Sequence, residues 1–148
     1  MKSILIDTNI LFYFYDYRDK KRQGQASRIL NELIKLKTGV LSVQSLAEFV
    51  NSATRGSTPL ISKDEILQQV NYLINTYDIV PLTEKIILEA ARGTRDFRLS
   101  YFDAQIWATA KLNQIPVIFS EDFQEGQFLE GVGFINPFTE KFNLDLWV

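Results

Sequence analysis

Ser3-Ile4-Leu5-Ile6-Asp7-Thr8-Asn9 is the stretch that decides the fold. Ile4, Leu5 and Ile6 are consecutive and apolar, with no polar alternation, which marks a strand covered on both faces. The next residues, Asp, Thr and Asn, are the types that open helices, so the strand is expected to hand the chain straight to a helix near Ile10. The same switch recurs outward from there. Ala26, Ile29, Leu30, Leu33 and Ile34 share a helical stripe, Gly39 is expected to stop that helix, and Val40-Leu41-Ser42-Val43 reads as a second strand. A helix over about 44–54 follows, ended by Gly56 and Pro59. Ser62 and Glu65 form a capping box ahead of Ile66, Leu67, Val70, Leu73 and Ile74. Ile79-Val80-Pro81-Leu82 reads as a strand that its proline confines to an edge. Thr83 opens one further helix and Ser100 another; Val117-Ile118-Phe119 and Val132-Gly133-Phe134-Ile135 are the remaining strands. Short apolar strands alternating with helices imply an α/β class with a mainly parallel sheet.

No repeat or linker divides the chain, so one domain is expected over residues 1–138. The tail, 139–148, keeps Phe142, Leu144, Leu146 and Trp147 and is expected to dock on the domain or on a partner. At 46% hydrophobic and 13% aromatic, 148 residues can build one substantial core. No apolar run reaches the ~20 residues that span a bilayer, so the expectation is a soluble, cytoplasmic protein away from membranes. There is no Cys and no His. That removes thiol nucleophiles, Ser-His-Asp triads and imidazole or thiolate metal sites. Any hydrolysis must run on carboxylates, hydroxyls, amides, Lys, Arg and Tyr, and a carboxylate site favours Mg²⁺ or Mn²⁺ over Zn²⁺. With 16 Lys and Arg against 18 Asp and Glu, the net charge of −2 gives no overall pull toward nucleic acid.

Ligands of open parallel sheets bind beyond the carboxyl ends of the strands. Asp7 follows the first strand and Asp122 the fourth, while Glu48 and Asp103 fall in first helical turns. Each also has a plainer role. Asp7 would cap a helix. Ser45–Glu48 and Ser100–Asp103 would be capping boxes. Ser120 and Asp122 would be turn residues. The helical wheel puts Glu48 on a solvated face, opposite Leu46, Phe49, Val50 and Ala53. All four acids nevertheless sit at strand ends or helix starts, where a ligand site would lie.

Four blocks carry a family resemblance: Ile-Leu-Ile-Asp7-Thr-Asn9, Leu-Ser-Val-Gln-Ser-Leu-Ala-Glu48-Phe, Leu-Ser-Tyr-Phe-Asp103-Ala-Gln, and Ser120-Glu-Asp122-Phe-Gln-Glu-Gly-Gln. In this order and spacing the chain resembles the PIN-domain ribonucleases, and most of all the VapC-type toxins of type II toxin–antitoxin pairs. The resemblance implies a five-stranded parallel sheet and a Mg²⁺- or Mn²⁺-dependent endoribonuclease. It implies that Asp7 and Asp103 hold the metal most directly. Glu48 and Asp122 would assist, often through water, and Asn9 and Ser120 would orient waters and carboxylates. Glu121 is given a surface role.

For RNA, the candidates are Lys21 and Arg22, with Arg18 and Lys20, and the pair Arg95 and Arg98, with Arg92; a solvated charged face is the plainer reading. The aromatic run at 12–17 suits core or a dimer interface better than base stacking. That run, the apolar tail and family habit together lead to an expected homodimer with a small antitoxin as partner. Two rival readings fit poorly. A haloacid-dehalogenase-type phosphatase needs an Asp where Asn9 stands, and a receiver domain needs a paired acid and a Lys that are not apparent. A non-catalytic RNA- or protein-binding relative stays as the alternative.

Overall fold

A computed structural model describes residues 2–124 and 126–148. Along the chain run β1 (Ile4–Ile6), α1 (Thr8–Tyr15), α2 (Lys20–Leu36), β2 (Gly39–Ser42), α3 (Val43–Thr54), α4 (Lys63–Thr76) and β3 (Asp78–Val80). There follow α5 (Glu84–Phe97), α6 (Tyr101–Leu112), β4 (Val117–Phe119), β5 (Phe128–Leu129), β6 (Val132–Ile135) and a 3-10 turn at Leu144–Leu146. The sheet order is β3-β2-β1-β4-β6-β5, parallel except for the β5–β6 pair.

The period-2 alternation of the strands sorts the core into two halves. Ile4, Ile6, Leu41, Val117 and Phe119 face the layer built from α1–α4 and the C-terminal segment. Leu5, Val40, Ile118 and Phe134 face α5 and α6. The sheet is thus covered on both sides, which is why its strands read as unbroken apolar runs. β3 is an edge strand, as Pro81 led one to expect. The sheet has six strands, not five. The extra one, β5, is two residues long and pairs antiparallel with β6, too short to leave a hydrophobic period.

Local chemistry sets the helix starts. The side chains of Asp19, Ser42, Ser62 and Thr83 each accept a backbone N–H from the first turn of α2, α3, α4 and α5. Two expectations fail in an informative way. Gly39 does not end α2; Lys37 does, in the left-handed conformation, and Gly39 begins β2. There a Cβ would stand 3.1 Å from Ile6 and from Tyr77, so the glycine serves close packing. Ser45 is not a cap either, because Ser42 occupies that place and takes the Ser45 N–H at 3.0 Å.

α5 and α6 pack tightly. A Cβ at Gly93 would lie 2.8 Å from the fully buried Trp107 ring, whose Nε1 donates to the Leu129 carbonyl at 3.1 Å. The C-terminal segment folds back on the sheet: Phe142 and Trp147 meet Phe119 edge-on, with centroids at 5.5 and 5.9 Å. Among the described residues, no helix is long and apolar enough to cross a membrane.

Candidate active site

β1 lies between β2 on one side and β4 on the other: the chain winds from β1 outward through β2 and β3, then crosses back to place β4 on the far side of β1. Such a switch point opens a crevice at the carboxyl ends of the two strands. The Asp7 N–H donates to the Phe119 carbonyl at 3.1 Å, which fixes Asp7 at the mouth of that crevice. Glu48 comes to the same edge because α3 leaves the carboxyl end of β2. Asp103 does because α6 runs back toward the amino end of β4, leaving its own first turn at the carboxyl edge. Asp122 follows β4 directly.

Asp7 is buried and is the N-cap of α1, its Oδ1 accepting from the Thr8 N–H at 2.8 Å. Its Oδ2 accepts from the Ser120 hydroxyl at 2.6 Å. Ser120 Oγ in turn accepts from Asn9 Nδ2 at 3.3 Å and from the Asp122 N–H at 3.1 Å. Asn9 Oδ1 accepts the Glu121 N–H at 3.4 Å. Asn9 and Ser120 therefore tie the start of α1 to the loop that carries Asp122.

Burial pushes the Asp7 carboxyl up from its ordinary 3.8 to about 6. The Ser120 and Thr8 hydrogen bonds oppose the rise, and the charges of Asp122 and Glu48 add to it. The Asp122 carboxyl is raised too, first by partial desolvation, against a hydrogen bond from Asn9, and then by the charges of Asp103 and Glu121. The acids are thus linked electrostatically in the order Glu48, Asp7, Asp122, Asp103. Among the described residues no Lys or Arg forms an ion pair with any of the four, and no three acids stand close enough together to enclose one metal ion.

The capping alternatives separate here. Asp7 does cap α1. Ser100, by contrast, makes no side-chain hydrogen bond at the start of α6, so no capping box accounts for Asp103. Glu48 is exposed, as the helical wheel indicates, but its Oε1 accepts from Gln44 Nε2 at 2.7 Å. A hollow of about 310 Å³ beside it is lined by Val43, Ala47, Leu82 and Phe102.

Glu121 is an anchor for this loop. Its carboxylate accepts from the Tyr13 hydroxyl at 2.6 Å and from Arg22 Nε at 2.9 Å. The RNA-contact candidates fall into two groups. Arg22 is held by Asp19 and Glu121, Arg95 by Asp96, and Arg92 by Glu89, Asp96 and Glu130. Lys21 lies on the exposed first turn of α2, and Arg98 ends α5 in the left-handed conformation; among the described residues no acid pairs with either. The aromatic run is mostly packed: Tyr13 meets Phe138 at 5.1 Å and Tyr15 meets Phe49 at 5.2 Å, leaving Tyr17 exposed.

A mainly parallel α/β sheet with acids set along the carboxyl edge of its central strands is the arrangement of a class of acid-site α/β domains. Within that class, the PIN-domain family model matches residues 4–125, and the chain belongs to the PIN-domain family. No curated protein matches the sequence. Solved structures share the fold. A toxin–antitoxin complex from Klebsiella pneumoniae aligns at 21% identity and a TM-score of 0.65, covering 92% of this chain and 98% of that one. The sarcin–ricin-loop-cleaving toxin VapC20 of Mycobacterium tuberculosis aligns at 20% and 0.66, covering 86% and 98%. VapBC2 of Rickettsia felis, bound to a DNA fragment from its promoter, aligns at 14% and 0.65, covering 88% and 96%.

Proposed function

We propose that this chain is a divalent-cation-dependent endoribonuclease and the toxin of a toxin–antitoxin pair, hydrolysing RNA phosphodiester bonds at Asp7, Glu48, Asp103 and Asp122. The observation that carries the reading is the setting of Asp7. It is a buried carboxylate at the switch point of the sheet, with two like-charged neighbours and, among the described residues, no Lys or Arg paired to it. Membership of the PIN family and the RNA-cleaving activity of VapC20 support it further.

The donor set suits Mg²⁺ or Mn²⁺, being all hard oxygen in a chain without His or Cys. Asp7 and Asp103 would hold the ion, with Glu48 and Asp122 assisting; when bound, it supplies a Lewis acid for the phosphoryl oxygen and acidifies the attacking water. The protein's own part is orientation. Ser120 holds Asp7 Oδ2, and Asn9 holds Ser120, so the Asp7 carboxylate keeps one fixed attitude. Asp122 and Glu48 are the exposed acids of the four, open to take a proton from water.

RNA would approach along a groove of about 450 Å³ between α2 and the C-terminal segment, where Lys21 and Arg28 meet Phe138 and Phe142. Such a groove offers cations to phosphates and rings to bases. Exposed apolar side chains on α4 (Leu67, Ile74) and on α5 (Ile87, Leu88) suit a second copy of the chain and an antitoxin segment. The neighbours from Klebsiella pneumoniae and Rickettsia felis are themselves toxin–antitoxin assemblies. The site of action would be the cytoplasm.

Cleavage of a structured RNA in Mg²⁺ or Mn²⁺, abolished by EDTA and by Asp103→Asn, is the expected result. The absence of a three-acid cage among the described residues favours one second reading, a module that binds RNA without cutting it. Retained RNA binding with no cleavage in either metal would establish that reading instead.

A further inference from the structure

Two glutamines that sequence reasoning passed over lie between Glu48 and the start of α6. Gln44 and Gln105 are only 7% and 4% exposed. Gln105 Nε2 donates to Gln44 Oε1 at 2.9 Å, and Gln44 Nε2 donates both to Glu48 Oε1 at 2.7 Å and to the Phe102 carbonyl at 3.1 Å. A glutamine amide has two N–H donors and one carbonyl acceptor, and in Gln44 all of them are engaged. Turned over, the Gln44 amide would set its carbonyl against a carboxylate and a carbonyl. Gln105 satisfies the oxygen on the other side. Those two acceptors therefore decide that Gln44 presents N–H groups to Glu48, and the bond from Gln105 steadies the amide in that orientation. The same nitrogen also grips the backbone one residue before Asp103, so an acid on α3 and the peptide that carries an acid on α6 share a donor.

Stability alone does not call for amides here. Buried amides cost free energy unless fully bonded, and replacing both partners of a buried pair by apolar groups of similar shape is often neutral or stabilising. A leucine pair would close the α3–α6 seam. What it would not do is hold a carboxylate.

We propose that Gln105 and Gln44 form a positioning relay that holds the Glu48 carboxylate at the start of α6, ready to engage the divalent cation together with Asp103; this rests on the nuclease reading above. The relay acts through Glu48 and touches no substrate.

The test is calorimetric titration of Mn²⁺ into the intact chain, with thermal melts in EDTA as the folding control. Gln44→Leu/Gln105→Leu is expected to melt at or above the wild type and yet bind Mn²⁺ about 10–100-fold more weakly, the usual effect of losing a partner that orients a ligand. Gln44→Asn, which keeps the amide but draws it back by one methylene, is expected to weaken Mn²⁺ binding as well and serves if the leucine pair fails to fold. Adding the leucine pair to Glu48→Ala is expected to change the affinity no further. An unchanged affinity in the leucine pair and in Gln44→Asn, or a loss that persists undiminished in Glu48→Ala, overturns the relay while leaving the nuclease reading standing. A wild type that binds no Mn²⁺ overturns both.

Discussion

The Ser120 hydroxyl donates to Asp7 Oδ2 at 2.6 Å across 113 positions of sequence, joining the ends of β1 and β4. This bond opposes the rise that burial imposes on the Asp7 carboxyl. Removing it leaves Asp7 harder to ionise and frees the Asp122 N–H and the Asn9 amide from their shared acceptor. Ser120→Ala should therefore move the acidic limb of the cleavage pH profile upward and lower the rate about 10–100-fold. A pH–rate profile in Mn²⁺ checks both, and an unmoved limb would mean that Ser120 only closes the turn.

Asp7 also links stability to pH. Its folded value of about 6 lies above the ordinary 3.8, so between those two values the folded protein binds the extra proton. The favourable contribution is complete below pH 3.8 and disappears as the pH rises through 6. At neutral pH the folded apo protein carries a penalty on the order of 2–3 kcal/mol. Asp7→Asn keeps a good helix cap and removes the penalty. Melts in EDTA should show the variant more stable than wild type at pH 7.5 and nearly equal to it at pH 4. A variant less stable at pH 7.5 would show that the cap outweighs the buried charge.

Asp103 separates a metal site from a set of helix starts. The unused Ser100 cap leaves Asp103 with an electrostatic neighbour of its own sign, Asp122. In EDTA, Asp103→Asn should melt at or slightly above the wild-type temperature. Mn²⁺ should stabilise the wild type by roughly 2.7 kcal/mol at a hundredfold excess over its dissociation constant, and the variant by much less. If the charge matters only to the start of α6, the variant melts lower, by up to ~1 kcal/mol, and Mn²⁺ moves neither protein.

Much of this was legible because it is written in short-range pattern. Ile4-Leu5-Ile6 announces a doubly covered strand, and Pro81 announces the edge position of β3. Both faces of the sheet could be anticipated from such runs, and the placement of four acids at its carboxyl edge followed. What stayed hidden is long-range. Gln44 and Gln105 bond across 61 positions, and neither has a neighbour in sequence that marks it as buried polar. The two-residue β5 leaves no period at all. Gly39 looked like a helix stop because glycine usually is one; only the approach of Ile6 and Tyr77 gives it a packing role.

Glu121 and Arg22 test whether a cation near the site serves RNA or the loop. Glu121 sits between Ser120 and Asp122, and its carboxylate is gripped by the Tyr13 hydroxyl and by Arg22, whose guanidinium also lies 5.3 Å from the Tyr13 ring and 5.9 Å from the Phe138 ring. An arginine already shared between Asp19 and Glu121 has little charge to spare for a phosphate. Its reach to Glu121 instead holds the segment that presents Asp122. Arg22→Ala and Glu121→Ala should therefore have similar effects, a severalfold loss in cleavage rate that does not deepen when the two are combined. A phosphate contact behaves differently: its removal weakens RNA binding and reduces the slope of log affinity against log salt by about one. Lys21, which pairs with no acid among the described residues, is expected to show that signature, and Arg22 is not. Binding of RNA to the three single variants across a salt series decides the matter. A shallower slope for Arg22→Ala, together with full activity in Glu121→Ala, would move Arg22 out of the scaffold and onto the RNA.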